Sequence, residues 1–350
     1  MKWIRKLLER AVLRPTSIVR ITTAASRTSS KSKIPQSTPS TLEAGIANSG
    51  TSRPKYFDPA LRHFVEGFRA GEPQFASPDV EKLWQTNRLK VLHHILKLIS
   101  ESECAEHLVL RGSVLLRTWF GEQARQPGDL DWVVTPQNWS INQQPARKLI
   151  EELVELLRGS VVDDSLHIPD TPFATDEIWT YEKAPGRRII VPWKTSDPRL
   201  NGTIQMDFVF GEAMPSQPQF TDVIVGPFSP IPLRTATIEQ SLAWKLLWLA
   251  TDCFAMGKDL YDAVLLAEHS KISADLLKRT FEADETLHYS HYRNFTAEEI
   301  QNWSVEWDDF VKEYPTIPGT AVDWKQRLQA ALKPLFQEIA ESQLNKQYET

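Results

Sequence analysis

The chain has 350 residues, 41% hydrophobic and 24% charged, and its formal net charge of −5 argues against a general nucleic-acid-binding surface. No run of about 18 uninterrupted apolar residues occurs, so we expect a soluble protein without a membrane partner. The two cysteines, Cys104 and Cys253, form no CxxC pair or Cys/His cluster, which argues against a disulfide framework or structural zinc site and favours the cytoplasm.

Residues 1–55 differ from the rest of the chain in composition. They are rich in Lys, Arg, Ser and Thr and contain only two acids, Glu9 and Glu43. Residues 1–20 place apolar side chains at helical spacing, and Ser/Thr/Pro-rich sequence follows to about Pro54. This composition favours a disordered basic leader, which would leave the protein in the cytoplasm. It also resembles an organellar transit peptide, which would direct the protein to an organelle.

Residues 56–235 have the pattern of an α/β domain. A short apolar-periodic segment at 56–71 precedes a long helical stripe at 80–100, and Ser77 and Pro78 are suited to start that helix. A strand, a helix and a second strand are predicted in turn at 107–111, 113–120 and 130–134, and a helix at 145–158 precedes further Pro-punctuated strands. This alternation predicts a mixed sheet.

Residues 236–350 predict a helical C-terminal domain. Apolar residues recur at helical spacing, without credible strands, in the segments 239–255, 259–268, 273–282, 297–313 and 322–342. We therefore expect an α/β (α+β) core with a mixed sheet, followed by a helical C-terminal domain. The active site is expected in the cleft between the two.

The sequence Asp129-Leu-Asp131 lies at the start of a predicted strand. Because side chains alternate along a strand, Asp129 and Asp131 share one face while Leu130 and Trp132 anchor the other. Two aligned carboxylates suit Mg²⁺, which usually takes one or two carboxylates together with substrate phosphates. In isolation such a pair is more often a solvated turn, so the motif needs support from elsewhere in the sequence.

Support comes from Gly112-Ser113, which lies between a predicted strand and a predicted helix. Glycine lets the backbone approach a phosphate, and the free N–H groups at a helix start bind anions. Ser113 adds a hydroxyl donor. The alternative is that Ser113 caps the helix, and the two roles are compatible.

A third acid is needed if two metal ions are to hold the attacking and leaving oxygens. In the segment 203–210, Ile204, Met206 and Phe208 define a buried face of a strand and leave Asp207 on the opposite, polar face. Asp207 is therefore the candidate third metal ligand. The alternative is an ordinary acid that faces solvent.

Four blocks occur in this order: Leu110-Arg-Gly-Ser113, Asp129-Leu-Asp131, Met206-Asp-Phe208, and Lys245 followed by Lys258-Asp-Leu-Tyr-Asp262. With them, about residues 80–270 resemble the AbiEii/AbiGii-type nucleotidyltransferase toxins, which include the MenT enzymes and belong to the polymerase-β-like superfamily. The resemblance implies a Mg²⁺-dependent enzyme that transfers a nucleoside monophosphate from an NTP to an acceptor hydroxyl. It also implies an RNA acceptor, such as the tRNA 3′ end, and a toxin with a cognate antitoxin.

The resemblance also assigns roles to the last block. It implies that Lys245 is a phosphate ligand and that Asp259 and Asp262 complete the site or orient Lys245. The alternative is that both acids only stabilise a helix start. The predicted nucleotide-binding residues are Arg111, Gly112, Ser113, Lys245, Asp259 and Asp262, and the predicted catalytic residues, which would hold two magnesium ions, are Asp129, Asp131 and Asp207.

One departure from the family pattern leaves other functions open. Relatives usually carry an Arg shortly after the Lys, where this chain has Asp252, so a substrate contact would be missing or supplied by Arg111 or Arg117. A catalytically silent nucleotide-binding or interaction module would suit this departure, although the three acids and Lys245 oppose it. A nucleotidyltransferase that modifies a protein or a small molecule would suit the acidic body better than one acting on RNA.

Overall fold

The computed structural model describes residues 38–47, 50–180, 184–283, 292 and 295–348. Most of the predicted basic leader therefore lies outside the described residues, but its last part forms helix α1 (Ser40–Ala47). The amide and hydroxyl of Thr41 donate to Asp176 at 2.8 and 2.6 Å, and Leu42 is buried. The prediction of a disordered leader up to residue 55 is wrong for α1, because a buried carboxylate binds its free N-terminal groups.

A mixed sheet forms the centre of the molecule. A small antiparallel ladder of β1 (Lys55–Phe57) and β2 (Phe68–Ala70) precedes it. The sheet strands are β3 (Leu108–Arg111), β4 (Asp129–Val134), β5 (Val161–Asp163), β6 (Leu166–His167), β7 (Ala174–Thr180), β8 (Ala184–Thr195), β9 (Gly202–Val209), β10 (Gln219–Val223) and β11 (Ile231–Thr235). Within the described residues their order is β10-β11-β3-β4-β9-β8-β6-β5, and β7 also pairs with β8. Strands β4 and β9 are parallel, whereas β3 and β8 run antiparallel to them.

The two faces of strand β4 belong to different cores. Leu130 and Trp132 are fully buried in a cluster with the two helices that cover one face, whereas Val133 joins a cluster on the other face. Because alternate residues of a strand share a face, Asp129 and Asp131 lie on the Val133 side. The helices of this part are α2 (Pro78–Ser100) and α4 (Gln144–Leu157), which supply the first cluster, and α3 (Ser113–Phe120), which connects β3 to β4.

Helices cover the Val133 face of the sheet. They are α5 (Ile238–Thr251), α6 (Gly257–His269), α7 (Ala274–Glu282), α8 (Ala297–Asn302), α9 (Trp307–Glu313), α10 (Ala321–Ala331) and α11 (Lys333–Tyr348). The predicted helix at 297–313 is two helices, because β13 (Val305–Glu306) leaves the helical path to pair with β12 (Ala255–Met256). The predicted helix at 322–342 is also interrupted, at Leu332, just before Pro334, which has no amide hydrogen to donate.

The mixed sheet and the helical C-terminal region confirm the predicted α/β fold class. Residues 35–350 form one compact unit, and the division at residue 235 stays a prediction. Among the described helices, none combines the length and the apolar character needed to cross a membrane.

Asp176 offers a test of how α1 is attached. We expect Asp176→Ala to lower the free energy of unfolding by about 1–3 kcal/mol, because the buried Thr41 donors lose their acceptor. Asp222→Ala, at an exposed site on β10, should change it by less than about 0.5 kcal/mol. Urea unfolding of both variants measures the difference, and equal stabilities would contradict the anchoring role of Asp176.

Candidate active site

Four charged side chains stand side by side on neighbouring strands. Asp131 on β4 pairs in register with Arg111 on β3 and with Asp207 on β9, and Asp207 pairs in register with Arg188 on β8. Directly opposite residues of adjacent strands point to the same face, so all four project to one surface of the sheet. Asp129, two residues before Asp131, projects to that surface as well.

These side chains open into a cleft between the sheet and the C-terminal helices. The predicted site residues that line it are Arg111, Gly112, Ser113, Asp129, Asp131, Asp207 and Lys245. Asp252 also lines the cleft, and its carboxylate accepts a hydrogen bond from the Phe254 amide at 2.8 Å. Two predicted residues, Asp259 and Asp262, are buried outside the lining.

Gly112 brings the backbone against the carboxylate pair. It adopts a φ of +84°, and a Cβ on it would lie 2.4 Å from Asp131 Oδ2, so only glycine fits there. Gly112 is the N-cap of α3, and Ser113 is the first residue inside the helix. The alternative that Ser113 caps the helix is therefore wrong: its hydroxyl donates instead to Asp129 Oδ1 at 3.1 Å.

The pKa values of the two β4 carboxyls move in opposite directions. Burial, together with the neighbouring charges of Asp129 and Asp207, raises the pKa of Asp131 to about 7. Burial also acts to raise the pKa of Asp129. The positive charges of Lys258 and Arg125 oppose this effect, and the pKa of that carboxyl is lowered. At neutral pH the site therefore holds one ionised acid beside one that is only partly ionised.

Asp207 is held by a guanidinium. Arg188 donates from Nε and Nη2 to its two carboxylate oxygens, both at 2.8 Å, and Gln205 donates to Oδ2 at 3.1 Å. The remaining terminal nitrogen of Arg188 donates to Asp58 at 2.6 Å. Asp58 follows β1 and also accepts from the Ala60 amide at 3.0 Å, so the segment before the long helix α2 contributes to the site.

Lys245 lies in a second charged network. Its ammonium nitrogen is 2.7 Å from Asp259 and 3.1 Å from Asp262, which stand three residues apart on α6. Arg125, from the loop before β4, binds both oxygens of Asp262 at 3.0 and 2.8 Å and donates to Tyr314 at 3.3 Å. Both acids are at most 1% exposed, and both hold the Lys245 ammonium by ion pairs.

Arg111 and Arg117 were the candidates to replace the missing family arginine. Arg111 lines the cleft, forms an ion pair with Glu212, and stacks 5.2 and 5.1 Å from the ring centroids of Trp244 and Trp248. Arg117 is not among the described residues that line the cleft: it donates to the carbonyls of Gly121 and Ala124, which follow α3, and to a surface acid. Of these two candidates, only Arg111 therefore lines the cleft.

Sequence reasoning missed several cleft residues, which are Arg53, Asp58, Arg69, Arg125, Arg188 and Lys258. Lys258 could have been found, since it is the basic residue of the Lys258-Asp-Leu-Tyr-Asp262 block. Within the part of the chain that the structure describes, it lines the cleft without an ion pair, and its charge helps to keep Asp129 ionised. The arginines carry no comparable sequence signal, because each depends on a distant partner.

The donor set fits a divalent cation held by Asp129 and Asp131. Both side chains line the cleft, and no described residue donates a hydrogen bond to Asp131. Mg²⁺ commonly binds through one or two carboxylates and completes its shell with phosphates and water. The predicted third ligand, Asp207, is occupied by Arg188, and the described residues contain no cluster of three or more acidic, His or Cys side chains arranged to hold a metal.

Comparison with known proteins identifies the family. Residues 94–340 match the family model described as nucleotidyl transferase AbiEii toxin, Type IV TA system. JHP933 from Helicobacter pylori is 16% identical, with a TM-score of 0.40 over 78% of this chain and 98% of its own. A second H. pylori structure, described as that of a nucleotidyltransferase, is 16% identical, with a TM-score of 0.39 over 75% of this chain and 96% of its own. No curated protein matches.

Both solved structures are distant from this chain, whereas the family model spans well over half of it. It includes all four sequence blocks, and the cleft brings residues from each of them together. The resemblance predicted from those blocks is confirmed. The chain belongs to the AbiEii family of nucleotidyltransferase toxins.

Proposed function

We propose that this nucleotidyltransferase moves a nucleoside monophosphate from a magnesium-bound NTP to an acceptor hydroxyl, with release of pyrophosphate. The observation that carries the proposal is the cleft in which Asp129 and Asp131 face the Gly112-Ser113 helix start. The carboxylates attract a cation, and the backbone groups of the helix start attract phosphate. The hydrogen bond from Ser113 to Asp129 holds the two sets of groups together. A bound nucleotide would be positioned and neutralised, which is the main contribution of a protein to phosphoryl-type transfer.

The carboxylates supply the metal side of the site. Asp129 and Asp131 would hold Mg²⁺, which would stabilise charge on the oxygens of the transferred phosphoryl group. Ser113 holds Asp129 through its hydroxyl, and the positive charge of Lys258 keeps that carboxyl ionised. Asp207 lies one strand away, where the Oδ1 lone pair that neither Arg188 nor Gln205 uses suits it to accept a hydrogen bond from the attacking hydroxyl.

The phosphate side combines backbone and cationic groups. The first amide groups of α3 have no acceptor within the helix itself, and a glycine at its N-cap suits the approach of a phosphate to them. Lys258 is the cation best placed to bind phosphate, because it has no ion pair among the described residues. Lys245 retains one ammonium hydrogen beyond those directed at its two acids, so it can contribute a single further contact.

The acceptor and the biological role follow from the family. We propose that the acceptor is an RNA, such as a tRNA 3′ end, and that the chain is the toxin of a pair with a separate antitoxin in the cytoplasm. The net charge of −5 favours local contacts near the cleft over a broad nucleic-acid surface. The same acidity favours a second candidate, transfer of the nucleotide to a protein or a small molecule.

Labelled transfer tests the proposed function. Purified chain is incubated with Mg²⁺, each α-³²P-labelled NTP, and total RNA, a protein mixture or small-molecule acceptors. We expect label on RNA, and its loss by about 10²-fold or more in Asp129→Asn and in Asp131→Asn, because each substitution weakens the binding of the Mg²⁺ that would neutralise the reacting phosphate. Asp222→Asn, on exposed β10, should keep full activity. Label on protein instead would favour the second candidate, and no label on any acceptor would favour a silent binding module.

Alanine substitutions at two glycines distinguish loss of activity by a steric clash at the site from loss of stability by backbone strain. Gly112 and Gly121 have φ values of +84° and +54°, but a Cβ on Gly121 would meet nothing within 4 Å. We expect Gly112→Ala to abolish transfer by displacing Asp131, and Gly121→Ala to cost about 1 kcal/mol of stability with activity retained. Thermal unfolding and the transfer assay measure both quantities. Equal activities in the two variants would contradict the role of Gly112.

Asp131 predicts a dependence of stability on pH in the absence of divalent cations. Its pKa of about 7 lies above that of an unfolded Asp, so the folded state binds the additional proton between about pH 4 and 7. The contribution of Asp131 to stability is therefore lost as the pH rises through this window. We expect Asp131→Asn to gain stability relative to the wild type from pH 5 to pH 8 in EDTA. A constant difference across this range, measured by urea unfolding, would sink the prediction.

A further inference from the structure

Arg188 binds both carboxylate oxygens of Asp207, the acid predicted as the third metal ligand. Its guanidinium meets both carboxylate oxygens at 2.8 Å, and Gln205 takes a further lone pair of Oδ2. A guanidinium cannot be deprotonated in a protein, so this positive charge is permanent. Asp207 is therefore already paired with a positive charge, which it shares with Asp58.

Arg188 is also held in place from both ends. Its backbone stands directly opposite Asp207 in the β8–β9 ladder, and its side chain is braced by Asp58 at 2.6 Å. Arg188, Asp58 and Asp207 are 3%, 6% and 8% exposed, so each is shielded from water. Movement of Arg188 away from Asp207 would leave buried charges uncompensated, which proteins avoid.

Asp129 and Asp131, unlike Asp207, are not bound by an arginine among the described residues. Asp129 accepts from the neutral Ser113 hydroxyl, and Asp131 accepts no hydrogen bond from a described residue. Both line the cleft. Their oxygens are the ones that a divalent cation can reach without displacing an arginine.

We propose that the site takes one divalent cation per nucleotide, on Asp129 and Asp131, and that Arg188, braced by Asp58, supplies at Asp207 the positive charge of a second. This inference rests on the proposed function. It makes Arg188 a positioning residue, which holds Asp207 towards the acceptor hydroxyl and neutralises it. It also gives the segment around Asp58, which lies outside the matched residues 94–340, a part in the active site.

Counting bound ions tests the proposal without turnover. The chain is dialysed to equilibrium against Mn²⁺ and an NTP analogue with a methylene group between the α and β phosphorus atoms. Bound Mn²⁺ and bound analogue are then both measured. We expect one Mn²⁺ for each bound analogue. Two ions per analogue would overturn the single-cation inference while leaving the nucleotidyltransferase proposal intact, whereas no bound analogue would overturn the proposed function itself.

Three variants test which residues set the number of Mn²⁺ ions bound per analogue. Asp207→Asn should keep one bound Mn²⁺ per analogue, because Asp207 is not a ligand. If the wild type instead bound two ions and Asp207→Asn bound one, the inference would be overturned. Arg188→Gln should raise the ratio to two, because Asp207 then faces the cleft without its guanidinium, and an unchanged ratio would contradict the role of Arg188. Arg187→Gln is the matched control, since it breaks a half-exposed pair with Glu177 at 3.5 Å one residue away. If Arg188→Gln fails to fold, the wild-type and Asp207→Asn ratios still decide.

Discussion

The alignment of strands β3, β4, β9 and β8 is the constraint on which the rest of the site depends. It places Arg111, Asp131, Asp207 and Arg188 in one row, so two acids lie between two arginines. A shift of one residue in any of these strands would turn its charged side chain into the opposite core, where Leu130 and Trp132 pack without access to water. The apolar side of the sheet therefore enforces the register of the polar side.

Much of the fold and part of the site could be predicted from the sequence, because alternation along one strand is a local property. It was enough to put Asp129 and Asp131 on one face and Asp207 on the polar face of its own strand. The partners of Asp207 were not predictable, since Arg188 is 19 residues away along the chain and Asp58 lies 130 residues before Arg188. Contacts of this kind depend on register and on docking of the N-terminal segment, and neither leaves a pattern in either segment alone.

The same distinction explains the errors in the helical region. Periodicity detected the helical segments correctly but joined α8 to α9 and α10 to α11, because an apolar stripe continues across a break when both helices face the same core. A two-residue strand pairing and one Pro decide those breaks. The helix α1 was missed for the opposite reason: its attachment depends on one buried acid, Asp176, and not on an apolar stripe of its own.

Arg125 shows why the C-terminal helices are more than a cover for the sheet. It belongs to the loop that leads into β4, yet it binds Asp262 on α6 with two hydrogen bonds and contacts Tyr314, which ends α9. Since Asp262 also binds Lys245 on α5, one buried network joins the start of the carboxylate strand to three helices. Because Lys245 and Arg125 both bind Asp262, we expect a movement of α6 to displace the two side chains together.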